Sequence, residues 1–160
     1  MKVEHLMTGD VETCRPDATL ADAAMIMWRR DCGIVPVVEE TGGRFVGVVT
    51  DRDICMATTT KHCAPASIPV GAVMNKQLVT CGPTDDVRTA MHRMAEAQVR
   101  RLPVVDKENR VKGLLSLNDL VLAAEPTARR AGDAVTYTAV LGALKPISAH
   151  RLPVKIAVAL

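Results

Sequence analysis

Residues 47–54 read GVVTDRDI, and residues 113–120 read GLLSLNDL. In each stretch a glycine and two aliphatic residues, suited to a buried strand, give way to a hydroxyl residue with an aspartate three positions on. A single [ST]-x-x-[DE] pattern is the capping box, in which hydroxyl and carboxylate satisfy backbone N–H groups at a helix start. Two such junctions in one chain raise the question of whether more than the junction is duplicated.

The duplication extends through most of the sequence. Leu6-Met7-Thr8 returns 67 residues later as Val73-Met74-Asn75, and Thr13-Cys14 and Pro16 return as Thr80-Cys81 and Pro83. Leu20, Ala23 and Met27 reappear as Val87, Ala90 and Met94, and Ile34-Val35-Pro36-Val37-Val38 as Arg101-Leu102-Pro103-Val104-Val105. One deletion then lowers the offset to 66 and brings GVVTDRDI onto GLLSLNDL. The copies occupy residues 1–57 and 70–124, with a polar, proline-containing linker at 58–69 and a tail at 125–160 whose pattern suggests a helix near 133–144.

Each copy predicts the order β-α-β-β-α. A short strand at 12–14 (79–81) leads through Pro16 (Pro83) to a helix, with Asp17 and Thr84 as expected N-caps. Leu20, Ala23, Ala24 and Met27 share one helical face, as do Val87, Ala90, Met91 and Met94. Strands Ile34–Val38 and Phe45–Val49 follow, joined by Thr41-Gly42-Gly43; their counterparts are Leu102–Val105 and Val111–Leu115, joined across Lys107-Glu108-Asn109. A second helix starts at Asp51 or Leu117. A unit of roughly 50 residues is too small to bury its apolar face alone. The expected class is therefore α+β, with two repeats packed about a pseudo-twofold axis.

Composition narrows the function classes. Apolar residues make up 48% of the 160 residues, but there is one Phe, one Trp and one Tyr, so the core must be aliphatic, with methionines such as Met25, Met27, Met91 and Met94 as filler. A net charge of +2 gives no field that argues for nucleic acid. Residues 1–10 have no apolar run of the signal-peptide kind, and the apolar runs near 134–144 and 152–160 are too short to span a bilayer. Five scattered cysteines without a C-x-x-C pair fit reduced thiols in a cytoplasmic protein. Cys55, His62 and Cys63 match no zinc-ligand spacing, and no nucleophile–base pair is arranged, so neither a metal site nor an enzyme is expected.

The duplicated junctions carry the chemistry. A helix N-terminus suits phosphate, and the hydroxyls of Thr50 and Ser116 can donate to a phosphate oxygen. Ionised Asp53 and Asp119 can accept from both hydroxyls of a ribose, while Gly47 and Gly113 let backbone lie close to a ligand. The copies differ ahead of the shared Pro-Val-Val, where the second has Arg100-Arg101 and the first Gly33-Ile34.

The combination of LMT, a P-D-x-x-L helix start, GIVPVV and GVVTDRDI, echoed as VMN, RRLPVV and GLLSLNDL, resembles a tandem pair of CBS domains, a Bateman module, over residues 3 to about 124. The resemblance implies a homodimeric disc that binds adenosyl compounds between the sheets and regulates another protein. Its candidate ligands are AMP, ADP, ATP, S-adenosylmethionine and NAD, with no required cofactor. It matches Thr50, Asp53, Ser116 and Asp119 to the family's G-h-h-[ST]-x-x-D motif and makes Arg100 and Arg101 candidates for phosphate. Ile34, Val35, Leu102 and Pro103 are candidates for an adenine slot, with Thr13 and Thr80 at a base edge. Because both arginines belong to the second copy, Asp119→Ala is expected to cost more binding than Asp53→Ala. No effector domain accompanies the pair, so output is expected through a separate effector protein or the tail. An oligomerisation scaffold without a ligand site, and a thiol or metal sensor using Cys55, His62 and Cys63, are the alternatives.

Overall fold

The computed structural model describes residues 1–41, 43–126 and 135–149. The first repeat contains α1 (Leu20–Arg29), β1 (Ile34–Val38), β2 (Phe45–Thr50) and α2 (Asp51–Lys61). The second contains α3 (Val87–Ala97), β3 (Arg101–Val105), β4 (Val111–Ser116) and α4 (Leu117–Leu122), and α5 (Tyr137–Ile147) follows. The two hairpins are antiparallel and share one register: Ile34 faces Thr50 as Arg101 faces Ser116. The α+β class and the duplicated order are as expected. No helix among the described residues is long and apolar enough to cross a membrane.

Three local expectations need correction. The strands at 12–14 and 79–81 shrink to single parallel bridges, Cys14 to Val37 and Cys81 to Val104. Pro16 and Pro83, two residues on, have no N–H to extend the ladder. The N-caps are Thr19 and Asp86, two residues beyond Asp17 and Thr84. Residues 16–18 stay out of α1 because the Pro16 and Ala18 carbonyls accept from Gly71 and Val70, while Asp17 pairs with Arg15. Helix α2 also continues through Thr58–Lys61, which the sequence pattern assigns to the linker. The hydroxyls of Thr58, Thr59 and Thr60 donate back to carbonyls of the preceding turn at 2.7–2.9 Å, so the polar groups of this run are satisfied within the helix. The turn residue Gly42 lies outside the described residues, as do 133 and 134 of the expected tail helix.

The repeats are interlocked by their leading segments. Val3 is fully buried in the second repeat's core, and Ile68 and Val70 are buried in the first repeat's core. Burying a valine contributes roughly 1.5–3 kcal/mol, so each half is stabilised by residues that precede the other. The same segments add an edge to each hairpin, Thr8 bridging Leu114 and Asn75 bridging Val48. Gly47 and Gly113 serve this crossing, and neither lines a cleft. A Cβ on Gly47 would lie 2.9 Å from the Asn75 carbonyl oxygen, and one on Gly113 2.6 Å from that of Thr8. The close approach expected between glycine and ligand is thus an approach between repeats.

Helix α5 makes the halves unequal. Its Val140, Ala143 and Ile147 join Met91, Met94 and Leu120 in the second core, and Gln98 donates to the Pro146 carbonyl at 3.0 Å. On the first repeat the counterparts of those residues, Ala24, Met27, Ile54 and Asp31, line an open hollow of about 900 Å³ beside Trp28, which is 84% exposed. What α5 covers on one repeat is bare on the other. Of the four methionines expected as core filler, Met27, Met91 and Met94 are buried, and Met25 is exposed, as is its counterpart His92.

Candidate functional site

Two clefts lie between the repeats, related by the same pseudo-symmetry. Both strand–helix junctions form the full capping box. Thr50 N–H and Oγ1 donate to Asp53 Oδ2 at 2.9 and 2.7 Å, and Asp53 N–H donates to Thr50 Oγ1 at 3.2 Å. Ser116 and Asp119 repeat the pattern at 2.7, 2.7 and 3.2 Å. The hydroxyl hydrogens expected on a phosphate are therefore committed to the aspartates. The first N–H groups of α2 are also engaged, Asp51 N–H on the Gly33 carbonyl and Arg52 N–H on Asp51 Oδ1. The first three N–H groups of this helix are therefore not free for an anion. Cap and ligand-binding roles do not exclude each other, because among the described residues nothing donates to Oδ1 of Asp53 or of Asp119.

The first cleft encloses about 360 Å³, within the usual range for small-molecule pockets. It joins Thr50 and Asp53 of repeat 1 to Arg100, Arg101 and Pro103 of repeat 2, with Ile34 from β1. Phe45, Val48, Val79 and Val99 supply apolar wall, and Asn75, Gln77 and Gln98 supply neutral polar groups. The second cleft, about 420 Å³, joins Ser116 and Asp119 to Asp10, Glu12, Arg30 and Asp31, with Ile34 and Arg101 again at its edge. Arg100 of the second copy therefore shares a cleft with the aspartate of the first, while Arg101 lines both clefts, so membership of the second copy does not favour Asp119 over Asp53.

At several equivalent positions the two linings carry different charges, and Asp51 of the first cleft has no counterpart in the second. Asn75, Gln77, Val79 and Gln98 of the first cleft are Thr8, Asp10, Glu12 and Asp31 of the second. Three acidic side chains thus replace neutral ones. The cation from repeat 1 in the second cleft, Arg30, is already held by Asp10 at 3.0 Å and Glu12 at 3.1 Å. The hydrogen bonds it donates to Glu12 and then Asp10 keep its pKa above the usual guanidinium value. Among the described residues, Arg100 and Arg101 have no side-chain hydrogen bond or ion pair.

The remaining candidates are placed elsewhere. Val35 and Leu102 are fully buried in the two cores, because alternate strand residues face opposite sides of the sheet. Thr13 and Thr80 line neither cleft, and the Thr80 carbonyl accepts from Arg93 at 3.1 Å. The residues of this segment that line the clefts fall one position earlier, at Glu12 and Val79, since the bridges at Cys14 and Cys81 set which side of the chain faces inward. Asp31 and Gln98, in the left-handed conformation at φ 47° and 52°, end α1 and α3 and turn toward the clefts; no motif in the sequence marks them. Burial pushes the Cys14 and Cys81 thiols up to about 11, so they stay protonated and weakly nucleophilic near neutral pH. Among the described residues no group of three or more His, Cys, Asp or Glu side chains is arranged to hold a metal ion, Cys55, His62 and Cys63 included.

A duplicated βα module whose halves interlock and enclose two equivalent clefts is the architecture of a tandem domain pair. The family model for the CBS domain matches residues 3–59 and 70–125. The chain belongs to the CBS domain family. It is similar to the CBS domain-containing protein YhcV of Bacillus subtilis (strain 168), 38% identical over 134 residues that cover 84% of this chain and 92% of that protein. Inosine-5'-monophosphate dehydrogenase of Methanocaldococcus jannaschii is 31% identical over 75% of this chain, which spans only 23% of that enzyme. Among solved structures, a CBS domain protein of Thermoplasma acidophilum, TA0289, superposes with a TM-score of 0.73 at 25% identity, covering 91% of this chain and 75% of that one. The CBS domain pair of protein MJ0100, solved with 5'-methylthioadenosine and S-adenosyl-L-methionine, gives 0.69 at 22% identity over 76% and 94% of the two chains. That last likeness speaks for the fold.

Proposed function

We propose that the first cleft binds an adenine nucleotide of the AMP, ADP or ATP kind, and that occupancy regulates a separate partner protein. The observation that carries this reading is the meeting, in one cavity of about 360 Å³, of a carboxylate oxygen open to a ribose with two uncommitted arginines. Arg forks suit phosphate oxygens, and a carboxylate accepts from paired sugar hydroxyls. Ile34, Val48, Val79 and Pro103 offer the apolar surface for the base. The bound ligand of the MJ0100 domain pair supports an adenosyl compound at this fold. A thermal-shift panel of AMP, ADP, ATP, NAD and S-adenosylmethionine tests it. A ligand at a hundred times its Kd stabilises the folded state by about 2.7 kcal/mol, and no shift with any of them at millimolar concentration overturns the reading.

One observation favours a second reading, an oligomerisation scaffold. The bare helical face around Trp28, whose twin α5 covers, suits packing against a second copy. Sedimentation of the full chain and of Trp28→Lys checks it: a dimer lost in the variant supports the scaffold, and a monomer in both removes it.

A further inference from the structure

Arg101 belongs to both clefts. It lines the first cleft beside Asp53 and the second beside Asp119, and no described side chain holds it by an ion pair or hydrogen bond. Its counterpart in the first repeat, Ile34, also touches both but carries no charge. The supply of cations is otherwise one-sided. The first cleft has Arg100 and Arg52 besides Arg101, whereas the second has Arg30, already bonded to Asp10 and Glu12.

We infer that Arg101 couples the two clefts, so that a phosphate-bearing ligand in the first weakens the binding of a second phosphate-bearing ligand in the other. One guanidinium cannot lie against phosphates in two cavities at once. When it turns to the first cleft, the second keeps Asp10, Glu12, Asp31 and Asp119 without an uncommitted cation of its own, and it repels an anion. An uncharged adenosyl compound, needing no cation, escapes the penalty. The pair thereby reports nucleotide as a graded, two-step signal. This rests on the nucleotide reading above and adds the link between sites.

Calorimetric titration of the full chain tests it, with AMP as the charged probe and 5'-methylthioadenosine as the uncharged one. Asp53→Asn, which weakens the first cleft, gives the second cleft's affinity for AMP with Arg101 available. That affinity is expected to be roughly tenfold tighter than the second step in the wild type, within the usual range of coupling between sites. Arg101→Ile copies the residue that Ile34 supplies in the first repeat, so the strand keeps a side chain its twin already accepts. In that variant the second AMP step no longer depends on Asp53. For 5'-methylthioadenosine the second step is unchanged by AMP in the first cleft. Equal second-cleft AMP affinity in the wild type and Asp53→Asn, or no AMP binding by Asp53→Asn, overturns the coupling while AMP binding to the wild type leaves the nucleotide reading standing. Failure of AMP to bind the wild type at all removes both.

Discussion

The two clefts are built by the same backbone and lined by different charges. Each has a capped strand–helix junction with matching hydrogen bonds, yet Gln77, Val79 and Gln98 on one side stand where Asp10, Glu12 and Asp31 stand on the other. The difference teaches that the duplicated motif fixes the shape of both junctions, while the leading segments and helix ends from the other repeat set the charge of each cleft. The cores show the opposite case, with Cys14 and Cys81, or Gly47 and Gly113, in matching surroundings. Charge diverges at the cleft linings while packing is kept.

The comparison is broken most easily at the arginines. Replacing Arg100 by Gln together with Arg101 by Ile removes two charge-assisted contacts worth about 1.5–3 kcal/mol each. AMP affinity at the first cleft should fall by roughly a hundredfold or more by calorimetry. The matching change in the other cleft, Arg30→Gln, frees Asp10 and leaves Glu12 to Arg29, and should leave the first cleft's AMP affinity within about twofold, since that guanidinium is already committed.

The equivalent cores should respond equally. Both buried thiols have folded-state values raised from 9.0 to about 11 by burial. A raised value means the folded form holds its proton more tightly than the unfolded chain does. The stability this confers is complete below pH 9 and is lost as pH rises toward 11, by on the order of 2 kcal/mol per thiol. Urea unfolding across that range should show the decline, and Cys14→Ala and Cys81→Ala should each flatten it by a similar amount. A response confined to one cysteine would break the claimed equivalence of the cores.

The glycines sharpen the same point on a smaller scale. Gly113→Ala and Gly47→Ala place a Cβ against a backbone carbonyl of the crossing segment, 2.6 and 2.9 Å away. Overpacking of this kind costs about 1–3 kcal/mol, and Gly113→Ala should cost the more. The loss should appear in thermal unfolding without ligand, which separates an inter-repeat role from a ligand-approach role.

How much of this is legible in the sequence depends on whether a feature is local. The two hairpins, the helix starts after Thr50 and Ser116, and the α+β repeat follow from patterns within about ten residues and are found where the pattern puts them. The N-cap of α1 falls two residues beyond Asp17 because residues 16–18 are held by hydrogen bonds from 70 and 71, a contact no local pattern announces. The cross-lining of the clefts is hidden for the same reason. Arg100 and Arg101 stand at the start of the second copy's β3, but the interlock brings Arg100 into the cleft of Asp53 and leaves Arg101 lining both clefts. Acids at 10, 12 and 31 read individually as surface charge, and their convergence appears only once the N-terminal segment crosses the second hairpin.

We propose that the cleft of Asp53 holds the nucleotide phosphate more tightly than that of Asp119. Asp53→Asn and Asp119→Asn keep the size of each side chain and one carbonyl oxygen for the cap, and remove the charge that would accept from a ribose. Measured side by side by calorimetry, the tight AMP step should weaken at least tenfold in Asp53→Asn and stay within about twofold of wild type in Asp119→Asn. The reverse order, with Asp119→Asn losing the tight step and Asp53→Asn keeping it, would contradict the account.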